Sequence, residues 1–490
     1  MSRFNTVAVD KTKTVNLAGG EAYTQTPELE FASILLTSMV EDQFYRSSGD
    51  TQKRLIALLK DLDPMFAAKA AVYTRNVYGM RSISHVAAGE IAQLVKGQSW
   101  TKDFMAAVVR RPDDMTEILS YYLNKYGKPI PNSMKKGFAK AFGKFDEYQL
   151  AKYRGEGKAV SLVDIANLVR PVPTEKNGAA LTKLINDELR STGTWESALT
   201  EAGKAANTAE EKVELKKAAW SELVTSGKIG QLALLKNLRN ILEQAPEVVS
   251  AACALLTDEK RVRQGMILPF RYVTALKEIE QVHFDGTREV IVALSKAVDI
   301  ALSNVPKMDG RTLVVLDVSG SMGGGYGFRS GNGSGKSPAE IGALFASVLV
   351  KANNADFMTF DTQARYINVN PTDSTLTIQK ALMSTFTGGG TDFKPIFRTA
   401  SKAYDRVIIL SDMQGWAGYY SPSAELNAYA QRHGVQPHVY SFDLNGLGTL
   451  QFPEKRVYAL AGFSDKVFDI MEMLEADPRA LVNTIKAVEF

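Results

Sequence analysis

Three oxygen-bearing side chains occupy alternate positions directly after a short apolar run. Asp317, Ser319 and Ser321 follow the apolar residues 313–316. Because they are spaced two residues apart, we expect their side chains to point the same way as the chain turns. Carboxylate, hydroxyl and water oxygens are the ligands that Mg²⁺ and Mn²⁺ prefer. This segment therefore predicts one half of a divalent-cation site.

Two other residues, later in the sequence, are candidates for the other half of the site. Thr391 follows three glycines at 388–390, and Asp412 follows a second strand-like run at 406–411. Ligand sites in open α/β sheets lie at the carboxyl ends of buried parallel strands, so both side chains are expected near Asp317. The alternative is that these residues only cap turns and loops.

Residues 305–490 alternate between strand-like and helix-like patterns, which is typical of a doubly wound α/β domain. The predicted strands are 312–316, 356–360, 407–410 and 437–442, and the predicted helices are 339–351, 376–383, 393–403 and 423–433. We therefore predict a domain boundary near residue 305, with one domain over residues 1–304 and a second over residues 305–490.

The order of the candidate ligands resembles that of von Willebrand factor A domains with a metal-ion-dependent adhesion site. In both, Asp-x-Ser-x-Ser is followed by a loop threonine and then by a strand-end aspartate, and the resemblance covers residues 309–490. It implies a bound Mg²⁺ or Mn²⁺ with a coordination position open to a carboxylate of a protein partner. The implied metal ligands are Asp317, Ser319, Ser321, Thr391 and Asp412.

A glycine-rich segment, residues 323–337, lies between the first predicted strand and helix of this domain. Its last part, residues 333–337, ends like a phosphate-binding loop, but Ser330 stands where that motif requires glycine. We therefore predict a flexible loop at the rim of the metal site rather than a nucleotide site.

The composition limits the classes of protein to which the chain can belong. Of its 490 residues, 45% are hydrophobic and 23% are charged, which is typical of a soluble globular protein with at least two domains. The single cysteine, Cys253, excludes a disulfide scaffold, and four scattered histidines do not favour zinc coordination. Neither a secretion signal nor a membrane-length apolar run is evident, so we predict a cytoplasmic protein without membrane contact.

The first 304 residues carry apolar side chains at the three-to-four spacing of amphipathic helices, interrupted by Gly, Pro and Asp caps. The predicted helices include 28–45, 64–77, 83–96, 113–126, 208–224, 230–244 and 268–281. Because short helices of this kind bury their apolar faces by stacking in pairs, a HEAT-like solenoid is favoured over a compact bundle.

Three helical segments, 77–85, 228–240 and 268–272, resemble the TROVE module of the Ro 60 kDa autoantigen family and its bacterial members. Together with the A-like domain, the resemblance covers nearly the whole chain. It implies HEAT-like helices closed into a ring by the A domain. It also implies small noncoding Y RNA on the outer surface of the ring and single-stranded ends of misfolded RNA in its central hole.

A basic segment between residues 125 and 158 offers a surface for RNA. On a predicted helix at 132–145, Lys136, Lys140 and Lys144 recur every fourth residue and form a cationic stripe that would neutralise phosphates. The alternative is an ordinary solvated face, and the net charge of only +4 does not decide between the two. The predicted RNA-binding residues are Lys135, Lys136, Lys140, Lys144, Lys152, Arg154 and Lys158.

Other polar residues of the helical part have two interpretations. Arg81 and His85 lie in the first TROVE-like segment and are equally suited to RNA contact and to pairing between helices. Lys236 and Arg239 either line a channel or extend from a buried helix into solvent. Vertebrate TROVE proteins carry a histidine in the helix after the basic segment, which residues 161–165 lack, so contacts there are not carried over.

The resemblance, together with the basic segment, implies a noncatalytic protein that binds Y-like RNA and structured or misfolded RNA in RNA quality control or degradation, with an exoribonuclease as a further candidate partner. A metal-dependent hydrolase would need a general base beside the ion, and no suitable side chain is evident. An adhesion receptor would carry a secretion signal. A metal-site interaction subunit of an ATPase machine is the main alternative.

Overall fold

The computed structural model describes residues 12–16, 21–24, 26–37, 48–95, 97–155, 158–189, 199, 202–203, 205–323, 337–415, 422–444, 449–452, 456–460, 471, 475 and 480–490. Most of the glycine-rich segment, residues 324–336, lies outside the described residues. The prediction of a flexible rim at the metal site therefore stays a prediction.

The first part of the chain is helical, and several of its helices begin at residues suited to helix N-termini. For example, the Asp63 carboxylate accepts hydrogen bonds from the backbone N–H groups of Met65 and Phe66, and Pro64 occupies the first turn. Two short strands, β1 (Thr12–Val15) and β2 (Glu21–Thr24), precede the helices. The helices are α1 (Pro27–Thr37), α2 (Ser48–Asp61), α3 (Pro64–Asn76), α4 (Ser82–Leu94), α5 (Thr101–Val108), α6 (Pro112–Tyr126), α7 (Asn132–Phe142), α8 (Glu147–Lys152), α9 (Leu162–Val169), α10 (Gly178–Ile185), α11 (Ala209–Thr225), α12 (Gln231–Gln244), α13 (Val249–Thr257), α14 (Glu259–Gly265), α15 (Pro269–Ile279) and α16 (Thr287–Ala301).

Neighbouring helices stack along their apolar faces. Helix α3 packs on α4 and α5, α5 packs on α7, and both α13 and α15 pack on α16. Their buried side chains form a continuous apolar core that includes Tyr122, Trp220 and Tyr272. This arrangement confirms the predicted HEAT-like solenoid. Among the described residues, no helix is both long and apolar enough to cross a membrane.

The second part of the chain is an α/β unit. Its elements are β3 (Thr312–Asp317), α17 (Pro338–Asn353), β4 (Asp356–Phe360), β5 (Ala364–Tyr366), α18 (Thr375–Met383), α19 (Lys394–Thr399), β6 (Arg406–Ser411), α20 (Pro422–His433), β7 (His438–Asp443), β8 (Thr449–Leu450), β9 (Val457–Leu460) and α21 (Ala480–Lys486). In the described part of the chain, one sheet has the strand order β5-β4-β3-β6-β7-β9. All of its pairings are parallel except that of the edge strand β5.

Successive residues of the central strands pack on opposite faces of this sheet. In β3, Val314 and Leu316 join the apolar core that contains α17, whereas Leu313 and Val315 join a second core with α19 and α20. Strands β3 and β6 are buried along their whole length because both faces of the sheet are covered. This confirms the predicted doubly wound α/β architecture.

The α/β unit contacts both ends of the helical region. On one side, Lys277 of α15 pairs with Glu340 of α17 at 2.5 Å. On the other side, α21 packs on α3, and the ring of Phe490 lies 6.1 Å from that of Trp100. The solenoid and the α/β unit thereby close into a ring.

Candidate metal centre and nucleic-acid interface

The register of the two central strands brings the predicted acidic ligands together. Strands β3 and β6 are parallel neighbours with Leu316 opposite Leu410, so both end at the same edge of the sheet. Asp317 is fully buried at that edge. Its Oδ1 accepts a hydrogen bond from Ser319 N at 2.9 Å, and its Oδ2 accepts one from the Ser411 hydroxyl at 2.6 Å. These bonds fix the orientation of the first carboxylate.

The loop that carries Thr391 lies directly against the loop that follows β3. Gly320 N donates to the Gly389 carbonyl oxygen at 2.9 Å. A Cβ atom at Gly320 would lie 2.9 Å from the Gly388 carbonyl oxygen, so this approach requires glycine. Thr391 itself is buried. The fold thus brings the loops of all five predicted metal ligands to one edge of the sheet.

The two carboxylates are buried close enough to influence each other. Burial and the neighbouring Asp412 carboxylate raise the pKa of Asp317 to about 7, against hydrogen bonds that lower it. Burial likewise raises the pKa of Asp412, and the Ser321 hydroxyl partly offsets this effect. Among the described residues, Asp412 Oδ2 is buried without a hydrogen-bond partner. A cation between the two acids would relieve both the repulsion and the missing contact.

The chemistry of this donor set fits a hard divalent cation. The hydroxyl oxygens of Ser319 and Ser321 lie 3.3 Å apart and add neutral oxygen donors to the two carboxylates. The described residues contain no cluster of three or more His, Cys, Asp or Glu side chains suited to a metal. Two carboxylates with hydroxyl oxygens form a donor set that suits Mg²⁺ or Mn²⁺ better than Zn²⁺.

The predicted basic stripe is shorter than the sequence pattern indicates. Helix α7 ends at Phe142 instead of residue 145, because its last turn tightens around Gly143. Lys136 is exposed on this helix, and the Lys140 side chain is 62% exposed while its ammonium lies 2.7 Å from Asp103. These two lysines are the exposed members of the stripe that lie on the helix.

Lys144 lies beyond the helix, and its ammonium is directed toward the protein. It donates hydrogen bonds to the carbonyl oxygens of Ala106 and Val109, where α5 ends. Burial of this group, together with the nearby Lys140, lowers the pKa of Lys144. Lys144 thus caps a helix C-terminus, which satisfies carbonyl groups that lack partners within the helix.

The other predicted RNA-binding residues lie in different environments. Lys135 is half-buried, the Lys152 ammonium lies 5.6 Å from the centre of the Tyr148 ring, and Lys158 pairs with Glu117 at 2.8 Å. Arg154 is buried and bridges two segments by binding the Asp187 carboxylate and the Leu189 carbonyl oxygen. The exposed lysines of this set are Lys136, Lys140, Lys144, Lys152 and Lys158, and of these the Lys144 ammonium is bound by backbone carbonyl oxygens.

Arg81 and His85 take part in a charged network between helices α3, α4 and α6. Asp114 is fully buried and accepts two hydrogen bonds from the Arg75 guanidinium, both at 3.0 Å, and His85 Nε2 lies 2.9 Å from its Oδ1. Arg81 donates to Asp113 at 2.5 Å. The structure therefore gives both TROVE-like residues a pairing role between helices.

Sequence reasoning did not single out Arg75 and Asp114, which form the centre of this network. Their signal is an arginine in the last turn of a largely buried helix and a pair of aspartates directly after Pro112. Asp114 also accepts hydrogen bonds at 2.9 Å from the backbone N–H groups of Arg110 and Arg111, which satisfies the start of α6. Lys236 and Arg239, whose role the sequence left open, are both exposed on α12.

Comparison with known proteins relates the chain to one family over most of its length. A model of the TROVE domain matches residues 31–187 and 188–319, and a model of the Ro60 von Willebrand factor A domain matches residues 311–474. RNA-binding protein RO60 of Deinococcus radiodurans is 25% identical over 492 residues, which cover 89% of this chain and 90% of that protein.

A more distant relative and a solved structure extend the comparison. Telomerase protein component 1 of Rattus norvegicus is 21% identical over 338 residues, which cover 52% of this chain and 13% of that protein. The crystal structure of the Deinococcus radiodurans Ro protein has the same fold, with a TM-score of 0.64 at 18% identity, over 94% of this chain and 99% of that one. The chain therefore belongs to the TROVE family and carries a Ro60-type von Willebrand factor A domain.

Proposed function

We propose that this protein is a noncatalytic RNA-binding protein that acts in RNA quality control or degradation. The observation that carries the proposal is the match of the TROVE helices and the A domain, in one closed ring, to a relative named for RNA binding. Ultraviolet crosslinking of the native protein, followed by sequencing of the bound RNA, tests it. Recovery of an ATPase without RNA would favour the alternative of an interaction subunit.

We further propose that the ring binds two kinds of RNA. Small structured RNA of the Y type binds its outer surface, with the exposed lysines of α7 as phosphate contacts, and single-stranded 3′ ends of misfolded RNA enter the central hole. An exoribonuclease that degrades the threaded RNA is the candidate protein partner, and the cytoplasm is the proposed location. The support is the ring architecture together with exposed cationic side chains on one helix.

The lysines of α7 give the first test of the RNA surface. Each phosphate contact that is lost lowers the log–log slope of affinity against salt by roughly 0.7–0.9. We therefore expect the double variant Lys136→Ala, Lys140→Ala to bind all structured RNAs more weakly and to lose about 1.4–1.8 of that slope. Filter binding across a salt series measures both quantities.

A matched control removes two exposed lysines elsewhere, Lys307→Ala and Lys380→Ala. This variant has the same net charge as the first, so a general electrostatic effect would weaken RNA binding in both. Unchanged affinity and slope in the α7 variant would remove this helix from the RNA surface. Lys144 is left in place because its ammonium stabilises the end of α5.

The length of the RNA tail gives a second test. If single-stranded ends enter the hole while folded RNA stays outside, trimming the 3′ tail should weaken the binding of misfolded RNA and spare the Y-like ligand. Competition assays with matched RNAs, each with and without the tail, measure the two effects separately. Equal losses for both ligands would indicate one shared surface.

The A domain is proposed to bind Mg²⁺ or Mn²⁺ through Asp317, Ser319, Ser321, Thr391 and Asp412. Bound there, the ion would offer an exchangeable coordination position to a carboxylate of a protein partner. The buried, mutually repelling acids and the orphaned Oδ2 of Asp412 among the described residues support this assignment. The division of labour is then RNA on the helices and a protein on the metal site.

A further inference from the structure

A small second sheet lies beside the candidate metal centre. Strands β1 and β2 form an antiparallel hairpin with Val15 opposite Glu21, and β2 continues onto β8 with Tyr23 opposite Leu450. The hairpin precedes the helical region in sequence, yet it pairs with a strand of the α/β unit. Segments from the two parts of the chain therefore share this sheet.

Two buried amide side chains next to this sheet hold the segment that follows Asp412. Asn16, directly after β1, is 5% exposed, and its Nδ2 donates to the Gly415 carbonyl oxygen at 2.7 Å. Gln451, directly after β8, is 2% exposed, and its Nε2 donates to the Met413 carbonyl oxygen at 2.8 Å. The segment 413–415 is thus bound from two sides.

The backbone of this segment requires such support. Met413 has a φ of 58°, in the left-handed region that residues other than glycine rarely adopt, and its side chain is buried. A Cβ atom at Gly415 would lie 2.7 Å from Gln451 Oε1 and 2.8 Å from the ring of Phe393, so the packing of both side chains favours glycine here. A non-glycine residue keeps a left-handed conformation only where contacts around it hold the backbone in place. The hydrogen bonds from Asn16 and Gln451 provide such contacts for residues 413–415.

The held segment orients the metal-ligand candidate next to it. Gln414 N donates to Asp412 Oδ1 at 3.2 Å, and Gln414 Nε2 donates to the Asp412 carbonyl oxygen at 3.2 Å. One carboxylate oxygen is thereby occupied, while Oδ2 has no partner among the described residues. Because Gln414 N holds the other oxygen, the position of residues 413–415 determines the orientation of the Asp412 carboxylate.

We propose that Asn16 and Gln451 are positioning residues for the metal centre, and that docking of the β1–β2 hairpin sets its affinity for a divalent cation. The proposal rests on the metal site proposed above. Because coupling between two sites is reciprocal, cation binding also stabilises the docked hairpin. The beginning of the helical part and the partner site of the A domain are then linked through one hydrogen-bonded segment.

A titration with Mn²⁺, followed by electron paramagnetic resonance of the free ion, tests the positioning role. Loss of a direct hydrogen-bond partner of a metal ligand typically weakens affinity by about 10–100-fold. Asn16 and Gln451 act one step further out, through residues 413–415, so we expect a loss of about tenfold, at the lower end of this range, for both Asn16→Ala and Gln451→Ala. Asn16→Leu roughly keeps the size of the side chain and removes the donor without adding charge, so it should behave like Asn16→Ala. The control is Val15→Ala, since Val15 is the neighbouring residue and 65% exposed.

Unfolding midpoints without metal separate positioning from general stability. A residue that only stabilises the fold would lower the midpoint and leave the affinity of the folded protein for Mn²⁺ unchanged, and that result would overturn the proposal. Wild-type affinity in both Asn16→Ala and Gln451→Ala would overturn it as well. If the wild-type protein itself bound no Mn²⁺, both the proposed metal site and the positioning role of Asn16 and Gln451 would be wrong.

Amide hydrogen exchange supplies an independent readout. Saturating Mn²⁺ should slow exchange in residues 12–16 and 21–24 of the wild-type protein, because the cation stabilises the docked hairpin. The same cation should leave exchange in these residues unchanged in Asp317→Ala. Identical exchange of the wild-type hairpin with and without Mn²⁺, in a protein that binds the ion, would contradict the coupling and leave the metal site intact.

Discussion

Asp317→Ala is expected to abolish the binding of Mg²⁺ or Mn²⁺ while RNA binding is retained. The substitution removes one of two buried carboxylates, and without it the remaining oxygen donors lack the charge to dehydrate a divalent cation. RNA binding should persist because the proposed RNA contacts lie on α7, in the helical part of the ring. Isothermal titration with Mn²⁺ and filter binding with RNA measure the two properties on the same preparation.

The control for this variant is Asp309→Ala, which removes an exposed acid a few residues before β3. It should bind both Mn²⁺ and RNA as the wild-type protein does. Circular dichroism establishes that each variant is folded. Loss of RNA binding in a folded Asp317→Ala protein would mean that the metal contacts RNA directly, and the proposed division between helices and A domain would be wrong.

Asp114→Asn is expected to have the largest effect on stability. The substitution keeps the shape of the side chain but leaves the Arg75 guanidinium, whose side chain is 3% exposed, without its buried counter-charge. Breaking a buried pair in this way typically costs about 3–5 kcal/mol. Urea denaturation followed by circular dichroism measures the change in the free energy of unfolding.

Asp103→Asn is the matched control for this charge removal. Its partner is Lys140, whose side chain is 62% exposed, so the free energy of unfolding should fall by less than about 1 kcal/mol. A similarly small loss in Asp114→Asn would show that the network between α3, α4 and α6 does not hold these helices together.

The same network predicts a dependence of stability on acid. Burial alone would raise the pKa of Asp114, but hydrogen bonds from His85 and Arg75 outweigh it and hold the pKa well below the ordinary value of 3.8. The stabilisation is therefore fully present above pH 3.8 and is lost as the pH falls below that value. The gap in stability between the wild-type protein and Asp114→Asn should narrow in that range.

Much of the candidate metal centre was predictable because its residues follow local patterns. The apolar run before Asp317 determines a buried strand, and the acid and hydroxyls after it predict a hard divalent cation. The three-to-four spacing of apolar residues likewise determined the helices of the ring. These features depend on residues that are neighbours in the sequence, so their periodicity and chemistry can be read without the fold.

The tertiary structure decided which of these residues face solvent and which face protein. Lys144 has the spacing of the stripe, yet its ammonium binds carbonyl oxygens at the end of α5. Arg154 binds the carbonyl oxygen of Leu189, which is 35 residues away in the sequence. The hydrogen bond that holds the segment after Asp412 joins Asn16 to Gly415, 399 residues apart in the sequence. A sequence pattern records the charge and periodicity of a side chain, but its partner depends on how distant segments pack. That packing alone separates lysines available to RNA from cations already used by the protein.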